Sequence, residues 1–349
     1  VEALDTKLGD NGTSDAVQIL AGTRQLLAPA LRHVVDQFPS ELGRIVGYHL
    51  GTHDRNGTPI DGDSGKAVRP ALALLACQAV GGDQARALPA AVAVELVHNA
   101  SLLHDDIIDG DQTRRGRPAV WRTFGVADAI LAGDALFFVA IRTLAESLPL
   151  AGQGVMILTS TVQQLIEGEH TDLLMEGRPA TTLSESQAMA TAKTGSLIAA
   201  ACALGAIAGG ATVEQIARMH SFGLDLGLAF QFIDDIKGIW GDPAVTGKPT
   251  SDLASGKKSL PVAYALANTG AARAELAALY QKDTPLTPAE QARAADLVEA
   301  AGGRAWANER ADHHIRQARL HLEVSATDPA AVARLNTLAT MITSSGPHR

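Results

Sequence analysis

The chain has 349 residues, 46% hydrophobic but only 4% aromatic, with 29 Lys and Arg against 38 Asp and Glu for a formal net charge of -9. So much aliphatic surface excludes a disordered chain, and the acidic balance excludes a general polyanion binder while leaving room for a local basic cluster that holds phosphate. Cys77 and Cys202 have no CxxC spacing and no neighbouring His cluster, so they read as buried apolar residues of a reducing compartment.

The first residues, VEALDTKLGDNGTSD, carry charges and no apolar run, so no targeting segment is expected there and about 1–14 are expected to be flexible. Apolar residues then recur at three- and four-residue steps through Ala- and Leu-rich windows at 15–50, 70–81, 86–108, 126–148, 153–175, 184–208, 212–238, 258–280, 287–301 and 303–323. Strand signals are scarce. The pattern predicts an all-α protein of ten or more helices in a single domain, 1–349, with small side chains that let the helices approach closely. The nearest approach to a membrane span, Leu197 to Ala211, is too short and too rich in Ala and Gly, and reads as a core helix. No integral membrane segment and a cytoplasmic location are therefore expected. Three breaks stand out: a polar Gly/Asp loop at 51–64, a charged segment at 110–118 and a second charged loop at 241–258.

Chemistry concentrates beside those breaks. His104-Asp105-Asp106-Ile107-Ile108-Asp109 ends an apolar helix, and Asp105 and Asp109, four apart, share a face. Like charges at that spacing repel, and a helix C-terminus is the wrong pole for anions, so a cation in the gap would relieve both penalties. Paired carboxylates suit Mg²⁺. A second acidic end, Gln231-Phe232-Ile233-Asp234-Asp235, closes another apolar helix. Two such ends facing across a bundle would hold several Mg²⁺ ions, which implies a polyanionic ligand. Lys66 and Arg69 at a loop-to-helix junction, Arg114 and Arg115 after the first acidic motif, and Lys248, Lys257 and Lys258 after the second favour diphosphate as that ligand.

The motifs GKAVRP (65–70), ELVHNASLLHDDIIDGDQTRRGRP (95–118), AGDAL (132–136), AKTGSL (192–197), GLAFQFIDDIKGIWGDP (227–243) and GKPTSDLASGKKSLP (247–261) resemble those of the trans-isoprenyl diphosphate synthases of polyprenyl synthetase type. The resemblance implies an isoprenoid synthase domain with its helices around a central cavity, usually a homodimer. It also implies prenyl transfer that joins isopentenyl diphosphate to an allylic diphosphate (dimethylallyl, geranyl or farnesyl), with Mg²⁺ as cofactor, three ions per site, and no nucleic acid partner. By the same resemblance Asp105, Asp109 and Asp234 bind metal, with Asp106 in the first motif. Lys66, Arg69, His98 and Arg115 hold isopentenyl diphosphate. Arg114, Lys193, Thr194, Gln231, Lys248 and Lys258 hold the allylic diphosphate or shield its cation. The catalytic set is then Asp105, Asp106, Asp109, Arg114, Lys193, Asp234 and Lys248.

Two positions depart from the family pattern. Gly238 stands where the second motif commonly has its last Asp, so weakened or altered Mg²⁺ binding with retained activity is expected. Ala67 replaces an Arg of the first basic motif. For product length, Val97, Ala100 and Ser101 lie on the helix before Asp105, and none is aromatic. One helical turn rises 5.4 Å, about one isoprene unit. With no ring to stop the tail near Ala100, geranylgeranyl diphosphate (C20) or a longer product is expected, with Phe137 and Phe138 as candidates for a lower floor. The alternatives are a class I terpene cyclase, which would leave Lys66, Arg69 and His98 without a second diphosphate, and a non-catalytic subunit of a prenyl synthase, supported by Gly238 alone.

Overall fold

The apolar periodicity is realised as helices nearly throughout. The computed structural model describes residues 10–147, 149–176, 178, 181–241, 252–282 and 284–344. In chain order the elements are α1 (Asp10–Asp36), α2 (Ser40–His49), α3 (Val68–Ala79), a 3₁₀ turn (Gln84–Ala87), α4 (Leu88–Ile108), strands β1 (Thr113–Arg114) and β2 (Arg117–Pro118), α5 (Val120–Thr123), α6 (Val126–Ala145), α7 (Gln153–Glu176), α8 (Leu183–Ala190), a π-helical turn (Thr191–Gly195), α9 (Ser196–Gly209), α10 (Val213–Trp240), α11 (Leu260–Ala267), α12 (Ala271–Tyr280), α13 (Pro288–Ala300), α14 (Gly303–Ser325) and α15 (Pro329–Ile342). The all-α expectation is borne out.

The boundaries follow local chemistry. The window 15–50 divides because Pro39, which has no N–H to donate, sits at the N-cap of α2. The window 258–280 divides before Gly270, whose φ of 128° no helix accommodates. α1 begins at Asp10, so residues 10–14 are helical; residues 1–9 lie outside the described residues. The 51–64 segment is a loop as expected, pinned by a bridge between His53 and Pro59 and by the Asp54 carboxylate, which accepts from Asn56 N and Thr58 N.

The chain divides into two compact units, residues 1–162, 200–220 and 325–338, and residues 163–199, 221–324 and 339–349. In the first, α4 packs on α3 and most extensively on α6. Leu72, Leu74 and Leu75 on α3 and Val94, Leu96, Val97 and Leu103 on α4 are buried, each stabilising the fold by about 1.5–3 kcal/mol. A Cβ on Gly205 of α9 would overlap the Ala73 carbonyl oxygen of α3, so glycine sets that helix separation. In the second unit, Phe232, Ile233 and Ile236 of α10 cluster with Leu260, Ala307 and Ala311. Trp306 stacks on Tyr264 and meets Phe232 edge-on, with centroids 4.6 and 5.4 Å apart. The run 183–209 is the one described helical stretch long and apolar enough to cross a membrane, and 78% of its most apolar window is buried inside the protein.

Candidate active site

One cluster of candidate residues is built where α2, α3, α4 and the β-ribbon of the first unit meet. Arg115 and Gly116 form the two-residue turn of the ribbon, both with positive φ, 51° and 70°. This is the turn that matches strand twist. Arg115 and Ala67 are the non-glycine residues with positive φ among those described, and each belongs to a basic motif; such strain persists where the surroundings over-determine it. The Arg115 guanidinium donates to His49 O at 3.3 Å and to Asn99 Oδ1 at 3.1 Å. Gly65 makes room for it, since a Cβ there would lie 3.0 Å from Nη2. Asn99 in turn donates to the buried Glu95 carboxylate at 3.0 Å.

This is a buried cationic pocket balanced by one carboxylate. Burial raises the Glu95 pKa, and Arg115 and Arg69 oppose the rise. His98 is held well below its usual range by burial and then by Arg69 and Arg115. His49, also buried, is lowered to about 3 by burial and the nearby Arg115 and Arg114. Both imidazoles are therefore neutral at pH 7. His49 Nε2 and Arg69 Nε are buried without a hydrogen-bond partner, the polar atoms an arriving anion would satisfy. Lys66 is exposed at the mouth of the same motif.

The acidic end of α4 assigns its three carboxylates different environments. Asp106 is buried and accepts from Arg114 Nε at 2.8 Å and from Nη2, while Arg114 also reaches Asp111 Oδ2 at 3.2 Å. Asp105 is half-buried, and Asp109 is the exposed C-cap. The donors are all hard oxygens, and Asp106 Oδ2 is buried without a partner. No cluster of three His, Cys, Asp or Glu able to hold a metal by itself occurs among the described residues. The fit to Mg²⁺ rests on the hard carboxylate oxygens of Asp105, Asp106 and Asp109, since Mg²⁺ takes one or two carboxylates and completes its shell with phosphate and water.

One expectation about the tail wall needs correction. Phe138 is 73% exposed on the outer face of α6 and forms no buried floor, whereas Phe137 is partly buried against His104, centroids 5.8 Å apart. Side chains on a helix lean toward its N-terminus, which turns Phe137 back toward Gly133 and His104. Val97 and Ala100 have no exposed surface, and Ser101, half-buried, donates to His98 O.

In the second unit, Lys193 stands on the π-helical turn, a feature frequent at functional sites. Its ammonium bridges Glu169 Oε2 at 2.6 Å and Asp172 Oδ2 at 2.8 Å of α7. Burial opposes its charge, but the two carboxylates outweigh that and raise its pKa. Thr194 donates to Gln231 Oε1 at 2.6 Å, and Gln231 donates to Asp235 Oδ1 at 2.7 Å. The other Asp235 oxygen accepts Leu260 N at 2.8 Å. Burial pushes Asp235 up to about 7, and both its oxygens are committed to the scaffold. Asp234 and Asp235 both line a cavity of about 140 Å³ with Lys193, Thr194, Gln231 and Asp252.

Lys258, expected to face the allylic diphosphate, donates its ammonium to the carbonyls of Met175 and Arg178, each at 2.7 Å, with Glu176 O at 3.4 Å, capping the end of α7. Lys248 lies outside the described residues. The structure also adds groups that the sequence reading passed over. Glu95 and Asn99 had a signal, polar residues four apart in an otherwise apolar helix, as did Glu169 and Asp172 at i,i+3. His49 had none, because it comes from 66 positions before Arg115.

The family model for polyprenyl synthetase matches residues 59–298. The chain is 43% identical over 318 residues to a geranylgeranyl diphosphate synthase of Mycobacterium tuberculosis, covering 90% of this chain and 91% of that protein. It is 41% identical over 313 residues to a (2E,6E)-farnesyl diphosphate synthase of the same organism, covering 88% and 87%. Its fold matches a polyprenyl synthetase from Streptomyces coelicolor A3(2) with a TM-score of 0.88 at 41% identity, over 94% and 99% of the two chains. It also matches a geranylgeranyl pyrophosphate synthase from Corynebacterium glutamicum, crystallised with isoprenyl diphosphate and magnesium, with a TM-score of 0.76 at 26% identity over 96% and 99%. Motifs, helical architecture and all three comparisons agree: the chain belongs to the polyprenyl synthetase family.

Proposed function

We propose that this polyprenyl synthetase is a trans-prenyltransferase that condenses isopentenyl diphosphate with an allylic diphosphate to give an all-trans prenyl diphosphate of C20 or longer. The observation that carries the activity is the pairing, on one stretch of chain, of the Asp105–Asp109 carboxylates with the buried Arg69–Arg115 pocket. A metal-dependent ionisation needs the first and a second diphosphate needs the other, which argues against a cyclase. The match of the family model runs through residues of both units without a break, which supports one domain.

Asp105, Asp109 and Asp234 would hold Mg²⁺, three ions in all, which when bound neutralises the charge developing on the departing diphosphate. Arg69 and Arg115 bind the diphosphate of isopentenyl diphosphate as fixed guanidinium forks, Lys66 adds a point charge, and neutral His98 supplies a hydrogen bond. Arg114 and Lys193, with Lys248 and Lys258, attract the allylic diphosphate. Thr194 and Gln231, locked to each other and to Asp235, present fixed oxygen dipoles to the allylic cation. The double bond of isopentenyl diphosphate then attacks that cation, and the proton lost from the adduct passes to the released diphosphate.

Chain length rests on the small side chains at Val97, Ala100 and Ser101. Two buried, unpaired cysteines support a reducing cytoplasmic setting. Purified protein given Mg²⁺, isopentenyl diphosphate and farnesyl diphosphate should yield C20 or longer products by mass spectrometry. Recovery of C15 or shorter alone refutes the length, and turnover surviving Asp105→Ala refutes the site.

A further inference from the structure

Arg114 and Arg115 are adjacent on one β-ribbon yet are held in different ways. Arg114 donates directly to the Asp106 carboxylate, through Nε at 2.8 Å and through Nη2, so its charge is matched by contact. Among the described residues Arg115 meets no carboxylate in that way. Its Nη2 donates to the Asn99 amide oxygen at 3.1 Å and its Nη1 to His49 O at 3.3 Å. The carboxylate of this pocket, Glu95, lies one side chain further back. Asn99 Nδ2 donates to Glu95 Oε1 at 3.0 Å and to the Glu95 carbonyl at 2.8 Å. Glu95 and Asn99 are four apart on α4, hence neighbours on one face, and both are buried, Asn99 with no exposed surface. The amide fits only one way round. Reversed, its NH₂ would confront the guanidinium N–H groups and its oxygen would confront the Glu95 oxygens.

An amide in this place does what a carboxylate could not. A carboxylate against a guanidinium takes two of its five donors in a bidentate pair and offsets its charge. The neutral amide takes one donor and leaves the charge whole. We propose that Asn99 is a positioning residue: it aims the Arg115 guanidinium at the diphosphate of isopentenyl diphosphate and keeps the Glu95 carboxylate off it. This assignment rests on the prenyltransferase reading above, in which Arg115 touches the substrate and Asn99 acts through it.

Calorimetric titration with isopentenyl diphosphate alone tests this without turnover, since no allylic partner is present. Removing the buried acceptor of a charged donor frees the fork to turn, so Asn99→Ala should weaken isopentenyl diphosphate by about tenfold, with KM for farnesyl diphosphate held within about twofold. Asn99→Asp keeps the shape but sets a carboxylate against Arg115, and should weaken binding at least as much. The double variant Asn99→Asp/Glu95→Gln separates aim from net charge, because it exchanges acid and amide and leaves the charge of the pocket unchanged. It should remain about tenfold weaker than the unaltered protein. A merely structural Asn99 would instead lower the urea midpoint and leave the affinity of the folded protein unmoved. Should Asn99→Ala fail to fold, the near-isosteric Asn99→Asp carries the same test. Unchanged affinity in the single variants, an equal loss toward farnesyl diphosphate, or a double variant as tight as the unaltered protein overturns the proposal. Failure of the unaltered protein to condense the two diphosphates with Mg²⁺ overturns the prenyltransferase reading, a result distinct from those.

Discussion

Arg115 shows how a single residue joins strain to recognition. Its left-handed backbone is costly for a side chain of its size, and the turn is held by the bonds of its guanidinium to α2 and α4. Those bonds fix the fork before any ligand arrives. Beside it, His49 carries the clearest acid sensitivity of the pocket. Its folded pKa of about 3 lies below the ordinary value of 6.5, so as pH falls the unfolded chain takes the proton first. Stability is thus full above about pH 6.5 and lost as pH falls toward 3, with a slope approaching about 1.4 kcal/mol per pH unit. His49→Gln should flatten the pH dependence of the unfolding free energy from urea titrations by up to that slope between pH 5.5 and 4. An acid limb identical to the unaltered protein would show that His49 does not titrate in this way. At this scale the sequence was legible for residues carried by ordered motifs, Asp105, Asp109, Arg69 and Arg115 among them. It was silent on His49, whose meaning comes from a contact across 66 positions.

At the scale of elements, packing distance is set by residues that lack a side chain. α9 approaches α3 so closely that any Cβ at 205 meets a backbone oxygen, which cannot move aside as a flexible side chain can. Gly205→Ala gains helix propensity, about 1 kcal/mol, yet should cost about 1–3 kcal/mol net through overpacking. A lowered urea midpoint with an unchanged m-value is the expected readout, and a stabilised variant would refute the close approach. The helical windows were readable because their period survives any tertiary arrangement. Their interruptions were less so. Pro39 was a visible breaker within a window read as continuous, whereas the π-helical turn at 191–195 carries no Pro and has no local signature to mark it. The two-residue β-ribbon was equally hidden, since its strands are too short to show alternation.

At the scale of the molecule, α6 presents Val126, Ile130, Leu131 and Phe138 on one exposed arc, with Leu131 58% and Phe138 73% exposed. An apolar stripe of this kind marks an interaction face, and we propose that a second copy of the chain covers it in a homodimer. Phe138→Asp should shift the sedimentation coefficient toward the monomer, and an unchanged dimer would place the interface elsewhere.

Residue types in sequence determined the helical class, the acidic helix ends, the basic motifs and hence the family, because each is written in spacing along a single segment. Only tertiary structure decided which charges are matched: Lys193 by Glu169 and Asp172, Arg115 by Asn99 and Glu95, and Lys258 by the carbonyls ending α7. It also decided that Phe138 faces outward and that Gly238 is covered by Asp252. Those pairings join positions far apart in the chain, and distance through space is not encoded in distance along it.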